Sequence, residues 1–232
     1  MTLKSVQSVR IVLRIGGSVF ASPIKPDLVR EYAALLEDLA KRGHSIAVVV
    51  GGGVLAREFI AMAKSLGLRE EKQDRLAISV SRLYAQLFLD ILGERGCEVV
   101  PSTVDDALHR LDEGKVVVMG GLRPGMTTDT VAAIIAEKIK ADMLVKASDQ
   151  EGIYDKDPRK HTDAVKLDHL KFEDLPKVCA QDKHTAGIHQ IIDPEAAKVL
   201  KRSRTRVVVL NGFEPQNVLR ATEGKKVGTR LD

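Results

Sequence analysis

Three consecutive glycines, Gly51, Gly52 and Gly53, hold the most chemically informative position in this sequence, between a strand pattern and a helix pattern. The apolar run 46–50 precedes them, and an amphipathic segment follows. The first amides of a helix have no partner inside the helix, and the helix dipole is positive there, so such a turn binds anions. Glycine lets a phosphate touch the backbone because no Cβ intervenes. Together with Arg57 one turn into the helix, this pattern predicts a phosphate site.

Three further loops of this kind follow predicted strands. They are Gly16-Gly17-Ser18, the glycine-rich loop 120–129 and the polar segment 147–158. Ligands of open α/β sheets bind at the carboxyl ends of the strands. A single glycine would favour a tight turn and nothing more. Three in a row, followed by a basic residue in the helix, favour a phosphate site.

Well-known catalytic motifs fit these loops poorly. Residues 120–127 nearly match the Walker pattern G-x-x-x-x-G-K-[ST], but Met126 stands where that pattern requires Lys. The Rossmann pattern G-x-G-x-x-G is absent. No Ser-His-Asp or Cys-His arrangement and no glycosidase acid pair stands out. The sequence therefore disfavours nucleophilic catalysis by a side chain and glycoside hydrolysis.

The composition suits one large α/β domain or two tightly joined lobes. The chain has 232 residues, of which 44% are hydrophobic and 29% are charged, and this length can bury a large core. The net charge of +4 is scattered along the chain, so no nucleic-acid surface is predicted. Cys97 and Cys179 form neither a disulfide framework nor a metal-binding spacing. With no signal peptide and no apolar span of membrane length, we expect a cytoplasmic protein without membrane contact.

Strand and helix patterns alternate along the chain, as in an open α/β sheet covered by helices on both faces. The predicted strands are 10–15, 46–50, 98–100, 115–119, 143–146, 206–210 and a final edge strand at 225–230. Helices are predicted at 54–66, 71–92 and 130–139, with a short one near 172–175. Four more are predicted from their ends: one is capped by Asp27 and ended by Gly43, one is capped by Thr103, one is capped by Asp193, and one is opened by Pro215. In helix 71–92 the apolar stripe consists of Leu76, Val80, Leu83, Leu87 and Ile91.

The ordered set of motifs resembles the amino acid kinase family across essentially the whole chain. It comprises strand–glycine turns at 16–18 and 51–53, the loop 120–129, and D-x-x-G-I-Y-x-x-D-P at 149–158. The stretches GGGVLAREF, GGLRPGMTTDTVAA and IIDPEAAKVL, together with Asp74, resemble the archaeal-type uridylate (UMP) kinases within that family.

This resemblance implies a three-layer αβα sandwich with a mainly parallel central sheet, and one domain spanning 1–232. Residues 1–141 would form the lobe that binds the acceptor, UMP, and residues 142–232 the lobe that binds ATP, in one rigid unit. The implied reaction transfers the γ-phosphate of ATP to UMP, giving UDP and ADP in pyrimidine nucleotide biosynthesis. Mg²⁺ would be bound through the ATP phosphates, since no acid cluster resembles an all-protein Mg²⁺ cage.

The resemblance also implies roles for individual residues, by their positions in the motifs. Gly17 and Ser18 would bind ATP and lie against the transferring phosphate. The other ATP contacts would be Gly53, Arg57, Ser148, Tyr154 and Asp157. The UMP contacts would be Gly52, Asp74, Leu122, Arg123, Pro124, Gly125, Met126, Thr127 and Thr128. The catalytic group would be Arg14, Gly17, Ser18 and Asp193.

The chemistry of phosphoryl transfer agrees with these roles. Two polyanions must be brought together, so the protein supplies hydrogen-bond donors to both and little covalent chemistry. The acceptor's phosphate oxygen is already ionised at neutral pH and needs no general base. Asp74 is unsuited to contact a phosphate but suits ribose hydroxyls. In this interpretation Gly52 faces UMP, whereas Gly53 and Arg57 face ATP.

Several positions keep two interpretations. Arg14 stands where many family members have Lys, and either contacts the phosphates or forms a structural ion pair. Lys183 and His184 either contact ATP phosphates or belong to a solvated loop, which is the favoured interpretation. Asp193 either orders the catalytic site or caps a helix, and Asp129 is interpreted as a helix cap. Two arginines are expected on the surface by default, Arg82 and Arg123.

Two other functions remain open from the sequence. One is a same-fold kinase of another phosphate acceptor, such as isopentenyl phosphate, whose relatives resemble a GGG-S-F-G-H pattern after the second strand. Here Val54, Leu55, Ala56 and Arg57 follow instead, without a histidine. The other is a non-catalytic nucleotide or oxyanion storage protein, which Arg14 leaves open. The resemblance further implies a homo-oligomer, a hexamer built from dimers.

Overall fold

The structure, a computed structural model, describes residues 8–20, 24–175 and 192–232. Its central strand is β1, Arg10–Ile15, in which Ile11, Val12 and Leu13 are fully buried. A strand without a polar face needs cover on both sides, as in a parallel sheet between two helical layers. The short helix α1, Gly17–Phe20, follows β1 directly. Phe20 anchors it by edge-to-face contacts with Tyr84 and Phe88.

The remaining elements alternate as the sequence predicts. Up to the middle of the chain they are α2 Pro26–Lys41, β2 Ser45–Val50, α3 Gly53–Ser65, α4 Glu70–Leu92, a 3₁₀ turn Gly93–Arg95, α5 Val104–Asp112 and β3 Val117–Met119. The later ones are α6 Thr128–Lys138, β4 Met143–Ser148, β5 Ile153–Tyr154, β6 Lys166–Leu167, β7 His169–Leu170, α7 Pro194–Ser203, β8 Arg206–Asn211, α8 Gln216–Thr222 and β9 Thr229–Leu231.

Among the described residues, seven strands form the central sheet in the order β3-β2-β1-β4-β8-β9-β7. Strands β3, β2, β1, β4 and β8 are parallel, whereas β9 runs antiparallel to β8. Helices α2, α4 and α8 pack against the sheet as one layer, and α5, α6 and α7 form the other. This confirms a three-layer αβα sandwich with a mainly parallel sheet. All five parallel strands therefore end at the same edge, where the glycine turns begin.

Two predicted strands differ in the structure. Residues 98–100 form no strand: beside them only an isolated bridge joins Gly96 to Val116. The carbonyls of Val100 and Pro101 instead accept hydrogen bonds from Arg82, both at 3.0 Å, which also corrects the prediction of a surface arginine. The predicted edge strand 225–230 is shorter and is not at the edge, because β9 lies between β8 and β7.

The predicted stripe of α4 points mostly to solvent. Leu83, Leu87 and Ile91 are exposed, whereas the neighbouring face that includes Tyr84 and Phe88 is buried. Both faces of this helix are apolar, so helical period alone does not select the one against the sheet. Among the described segments, 70–95 is the one helix long and apolar enough to cross a membrane, by length and composition only. That weak signal also suits a core helix, and the buried face of α4 lies in the core.

Helix caps follow the sequence with two exceptions. Thr103 accepts a hydrogen bond from the amide of Asp106, and Asp193 caps α7 ahead of Pro194, as predicted. Helix α2, however, begins at Pro26 with Lys25 as N-cap and no side-chain cap, so Asp27 lies inside the first turn. Asp129 is likewise no cap. The N-cap of α6 is Thr127, whose hydroxyl accepts from the amide of Thr130.

Candidate active site

Two glycine turns meet at the floor of a cavity of about 540 Å³ at the carboxyl ends of the strands. A Cβ built on Gly17 would lie 2.1 Å from the amide nitrogen of Gly53 and 2.8 Å from the carbonyl oxygen of Gly51. The turn after β1 and the turn after β2 are therefore in backbone contact, which only glycine at position 17 permits. The cavity volume lies in the usual range of small-molecule sites.

The glycines after β2 differ in their surroundings. A Cβ on Gly52 would lie 2.5 Å from the Cβ of Ala56 and 3.3 Å from the carbonyl oxygen of Ala77, so this glycine faces α4. Gly53 has a φ of 61°, a backbone conformation that favours glycine. It begins α3, whose first turn brings the exposed Arg57 to the cavity rim. The amides of this turn and the Arg57 side chain supply donors at one end of the cavity.

Arg14, Asp129 and Lys146 form a buried charged cluster behind these turns. Arg14 and Lys146 are register partners on β1 and β4, so both reach the same end of the sheet. Lys146 Nζ donates to Asp129 Oδ2. Arg14 Nε lies 2.7 Å from Asp129 Oδ1 without directed hydrogen-bond geometry, and Arg14 Nη2 donates to Thr128 Oγ1 at 3.0 Å. The three charged side chains are 9–17% exposed and line the cavity.

The cluster shifts the pKa values of its members. Burial alone would raise the pKa of Asp129, but the charges of Arg14 and Lys146 outweigh it, so that pKa lies below its ordinary value. Burial lowers the pKa of Lys146, against the opposing effect of Asp129 and with a further lowering by Arg14. Arg14 thus forms the ion pair that one of its two interpretations predicts, and this pair lines the cavity. Asp129 serves the cluster, which explains why it caps no helix.

Asp193 joins α6 and α7 in the lining of the cavity. Its carboxylate accepts hydrogen bonds from the hydroxyls of Thr127 and Thr130, at 2.6 Å and 3.0 Å. It also accepts from the amides of Glu195 and Ala196 at the start of α7, each at 3.0 Å. The residue is therefore an N-cap, as one of its two interpretations predicts, and it also holds the first turn of α6.

The predicted UMP contacts lie next to this cavity, on the side of α4. Asp74 Oδ2 accepts a hydrogen bond from the amide of Gly125 at 2.7 Å, which ties the loop to the helix. Leu122 and Met126 are half-buried against the core, while Arg123 is exposed as expected. Of this loop only Thr127 and Thr128 line the cavity itself.

The predicted ATP contacts are less concentrated. Gly17, Ser18 and Ser148 line the cavity with Gly53 and Arg57. Tyr154 lies on β5, and Asp157 accepts from the amide of Arg159 at 3.0 Å; neither belongs to the cavity lining. Three residues named in the sequence predictions lie outside the described residues: Cys179, Lys183 and His184.

The sequence interpretation missed Lys146 entirely. Its signal was a lysine inside the buried strand β4, where the flanking Val145 and Ala147 are fully buried. A charged residue in a buried strand requires a partner. In the described part of the chain, no group of three or more His, Cys, Asp or Glu side chains is placed to hold a metal ion.

The comparisons with known proteins agree with this geometry. The amino acid kinase family matches residues 9–211. Uridylate kinase of Methanococcoides burtonii is 38% identical over 231 residues, covering 95% of this chain and 98% of that protein. Uridylate kinase of Methanocaldococcus jannaschii is 38% identical over 225 residues, with 96% and 99% covered. The crystal structure of uridylate kinase from Archaeoglobus fulgidus superposes with a TM-score of 0.86 at 37% identity, covering 96% of this chain and 99% of that one. This chain therefore belongs to the amino acid kinase family.

Proposed function

We propose that this protein is a UMP kinase, which transfers the γ-phosphate of ATP to UMP and gives UDP and ADP in pyrimidine nucleotide biosynthesis. The observation that carries the proposal is the backbone contact between the two glycine turns, Gly17 against Gly51 and Gly53, at a cavity that also holds a cationic cluster. When two phosphates react, the attacking oxygen and the phosphorus it attacks must lie about 3–3.5 Å apart. Abutting turns rich in amide donors supply adjacent places for two phosphates. The names of relatives 37–38% identical over nearly the full length support UMP as the acceptor.

The protein contributes position and charge to this reaction. Amides at 17–18 and 52–53 donate to phosphate oxygens, since those of Gly16 and Gly51 already donate to the carbonyls of Ala147 and Ile15. Arg14 and Arg57 add positive charge. The acceptor oxygen of UMP is ionised at neutral pH, so no side chain has to remove a proton. In this proposal Gly17 and Ser18 lie against the transferring phosphate. Asp193 acts as a positioning residue, because it holds the first turn of α6.

Each lobe then binds one nucleotide. We propose UMP in the lobe 1–141, bound by Gly52, Asp74 and the loop 122–128, and supported by the orientation of Gly52 toward α4. We propose ATP in the lobe 142–232, bound by Ser148, Tyr154 and Asp157, with Gly53 and Arg57 at the boundary between the two nucleotides.

Magnesium is proposed as a cofactor held through ATP. Two of the three acids that line the cavity are already engaged: Asp129 pairs with two cations, and Asp193 accepts hydrogen bonds from two hydroxyls and two amides. These contacts suit an ion bound mainly by phosphate oxygens and water. Bound Mg²⁺ would neutralise phosphate charge, which is the chemistry it supplies.

A coupled assay of ADP release tests the activity. The purified, folded protein is mixed with ATP and Mg²⁺, and with UMP, CMP, isopentenyl phosphate or no acceptor. We expect ADP release that depends on UMP and is far slower with the other acceptors. Release with isopentenyl phosphate alone would support the same-fold alternative, and nucleotide binding without turnover would support a storage protein. Absence of UMP-dependent release contradicts the proposal.

Replacing Asp74 with alanine is expected to raise the KM for UMP about 10-fold or more, because a charged hydrogen bond contributes about 1.5–3 kcal/mol. The KM for ATP should change less than about 2-fold, since Asp74 lies on α4 and binds Gly125 of the acceptor loop. Initial rates with each substrate varied in turn provide the measurement. Asp90→Ala, on the same helix and hydrogen-bonded only to Gln86, is the matched control. Equal increases in both KM values would remove Asp74 from the acceptor site.

We propose a homo-oligomer, a hexamer, located in the cytoplasm. Helices α3 and α4 pack together, and their outer faces expose large hydrophobic side chains, among them Phe59, Met62, Leu66, Leu83 and Ile91. Leu66 and Leu83 are 70% and 64% exposed, and clustered exposure of this kind is typical of an interface. Light scattering that gives the monomer mass of 25.4 kDa at micromolar concentration would contradict the oligomer.

A further inference from the structure

Lys146 lies in a buried strand, where a charged lysine destabilises the fold unless a partner of opposite charge compensates it. It is the one charged residue of strand β4, its side chain is 9% exposed, and yet it reaches the lining of the cavity. Buried ammonium groups persist when they are paired. Its described ion-pair partner is Asp129, which is shared with Arg14.

The cluster carries more positive than negative charge. Arg14 and Lys146 together contribute two positive charges, and Asp129 contributes one negative charge between them. The carboxylate of Asp193 also lines the cavity and acts on the charge of Lys146, and it accepts hydrogen bonds from two threonine hydroxyls and from the amide end of α7. Asp149 and Arg57 are the other charged residues of the cavity lining, and they carry opposite charges. The whole lining has three basic and three acidic residues, so the excess belongs to the cluster alone: Arg14 and Lys146 share the carboxylate of Asp129, and an anion at the cluster would balance the second cation.

The excess charge lies beside the junction of the glycine turns. A Cβ on Gly16 would lie 3.1 Å from Arg14 Nη1, and a Cβ on Gly51 would lie 3.4 Å from Arg14 Nη2. The guanidinium thus extends along the first glycine of both turns. Asp129 holds Lys146 beside it, on the adjacent strand. Both cations are fixed before any ligand binds, so they require little rearrangement when charge develops on a phosphate.

We propose that Lys146 is a catalytic residue that contacts the oxygens of the phosphoryl group in transfer, with Arg14 as its companion and Asp129 as the residue that positions both. This inference rests on the proposed kinase function. In the step, the bond between the γ-phosphorus and the β–γ bridging oxygen of ATP breaks, and a bond to a phosphate oxygen of the acceptor forms. ADP leaves with the bridging oxygen, and Lys146 stays protonated throughout. Its contribution is the positive charge opposite the equatorial oxygens.

Two variants, Lys146→Met and Lys146→Gln, test the inference. We expect each to lower kcat about 100- to 1,000-fold, the usual effect of removing one donor to the transition state. The KM values for ATP and UMP should change less than about 3-fold. The melting temperature should not fall, because Asp129 keeps Arg14 as a partner. Lys198→Met, which removes an exposed lysine paired with Glu195, is the control and should leave kcat unchanged.

A binding measurement separates catalysis from architecture. ADP, aluminium fluoride, Mg²⁺ and UMP together mimic the transferring phosphoryl, whereas ADP and UMP alone do not. We expect Lys146→Met to weaken the fluoride-dependent complex by roughly the factor lost in kcat, and to bind ADP with UMP as the wild type does. Loss of both kinds of binding, or an unchanged kcat in a folded variant, overturns the role of Lys146 while leaving the kinase function intact. If the wild type prefers another acceptor, the same comparison is made with that acceptor. A wild type that phosphorylates none overturns both.

Discussion

Replacing Gly17 with alanine is expected to lower kcat/KM about 100-fold or more. The new Cβ would lie 2.1 Å from the amide nitrogen of Gly53, 2.4 Å from its Cα and 2.8 Å from the carbonyl oxygen of Gly51. All three atoms belong to backbone, so no side chain can move aside, and ordinary contact begins at about 3.4 Å. The two turns must therefore separate by about 1 Å, a displacement that costs about 100-fold in rate when it changes the geometry of reacting groups.

The same substitution should also destabilise the protein. Overpacking typically costs about 1–3 kcal/mol, which for a chain of this length lowers the melting temperature by about 2–4 °C per kcal/mol. Gly96→Ala is the matched control, because that glycine also lacks a positive φ and the atom nearest its new Cβ would be the Cδ2 of Leu89, at 3.0 Å, the end of a flexible side chain. Steady-state kinetics and thermal unfolding provide the comparison. A Gly17→Ala enzyme with activity within about 3-fold of the wild type would show that the turns need not touch.

The backbone contact with Gly17 changes the role inferred for the three glycines after β2. By themselves they form a turn suited to one phosphate. Their contact with Gly17 makes the second turn part of the same surface, so that, in the proposed function, two neighbouring phosphates would be separated by backbone alone. Gly52 faces α4, and Gly53 begins α3 with a positive φ, so the two glycines have different structural constraints. That difference supports the proposal that they serve different nucleotides.

Local rules predicted much of the fold. Strand β1 has the predicted bounds 10–15, because its run of apolar residues has no competing period. The cap at Thr103 follows from one hydroxyl and one nearby amide, and the sequence places both. The prediction of which face of α4 is buried was wrong. Both faces of this helix are apolar, so packing decides which of them lies against the sheet. Residues 98–100 failed as a strand because Arg82, distant in sequence, binds the carbonyls at their end.

The part of the candidate site that consists of backbone groups was predictable from the sequence. Glycine turns and helix N-termini leave a local pattern, and so the cavity forms where the sequence predicts phosphate binding. Side-chain pairing across strands leaves no such pattern. The cluster of Arg14, Asp129 and Lys146 joins positions 115 and 17 residues apart through the register of β1 with β4 and the start of α6. From the sequence, Asp129 was therefore interpreted as a helix cap, and no role was predicted for Lys146.

Replacing Asp129 with leucine is expected to destabilise the protein by about 3–5 kcal/mol, because two buried cations would lose their shared carboxylate. Activity should fall as well, since Arg14 and Lys146 would repel one another beside the glycine turns. Chemical denaturation and kcat provide the two measurements. The triple variant Arg14→Met, Asp129→Leu, Lys146→Met is the matched control: it removes all three charges and should recover most of the stability without the activity. A single variant as stable as the wild type would show that the cluster is not buried as described.

The pH dependence of stability distinguishes the loss of the Asp129 charge from a change in side-chain packing. The variant Asp129→Asn serves here because it removes the charge and keeps nearly the same shape. The pKa of Asp129 is lowered in the folded protein, so its charge stabilises the fold above the ordinary carboxyl pKa, and that stabilisation is lost as pH falls through the folded value. The difference in unfolding free energy between wild type and Asp129→Asn should therefore be constant near neutral pH and shrink in acid.

The titration of Lys146 affects stability in the opposite sense. Its pKa is lowered by burial, so the energetic cost of its charge is fully present below the folded pKa and is relieved as pH rises. Without the carboxylate that pKa falls further, and the deficit of Asp129→Leu should diminish at alkaline pH as Lys146 loses its proton. A deficit that is the same at all pH values would assign the loss to packing rather than to charge.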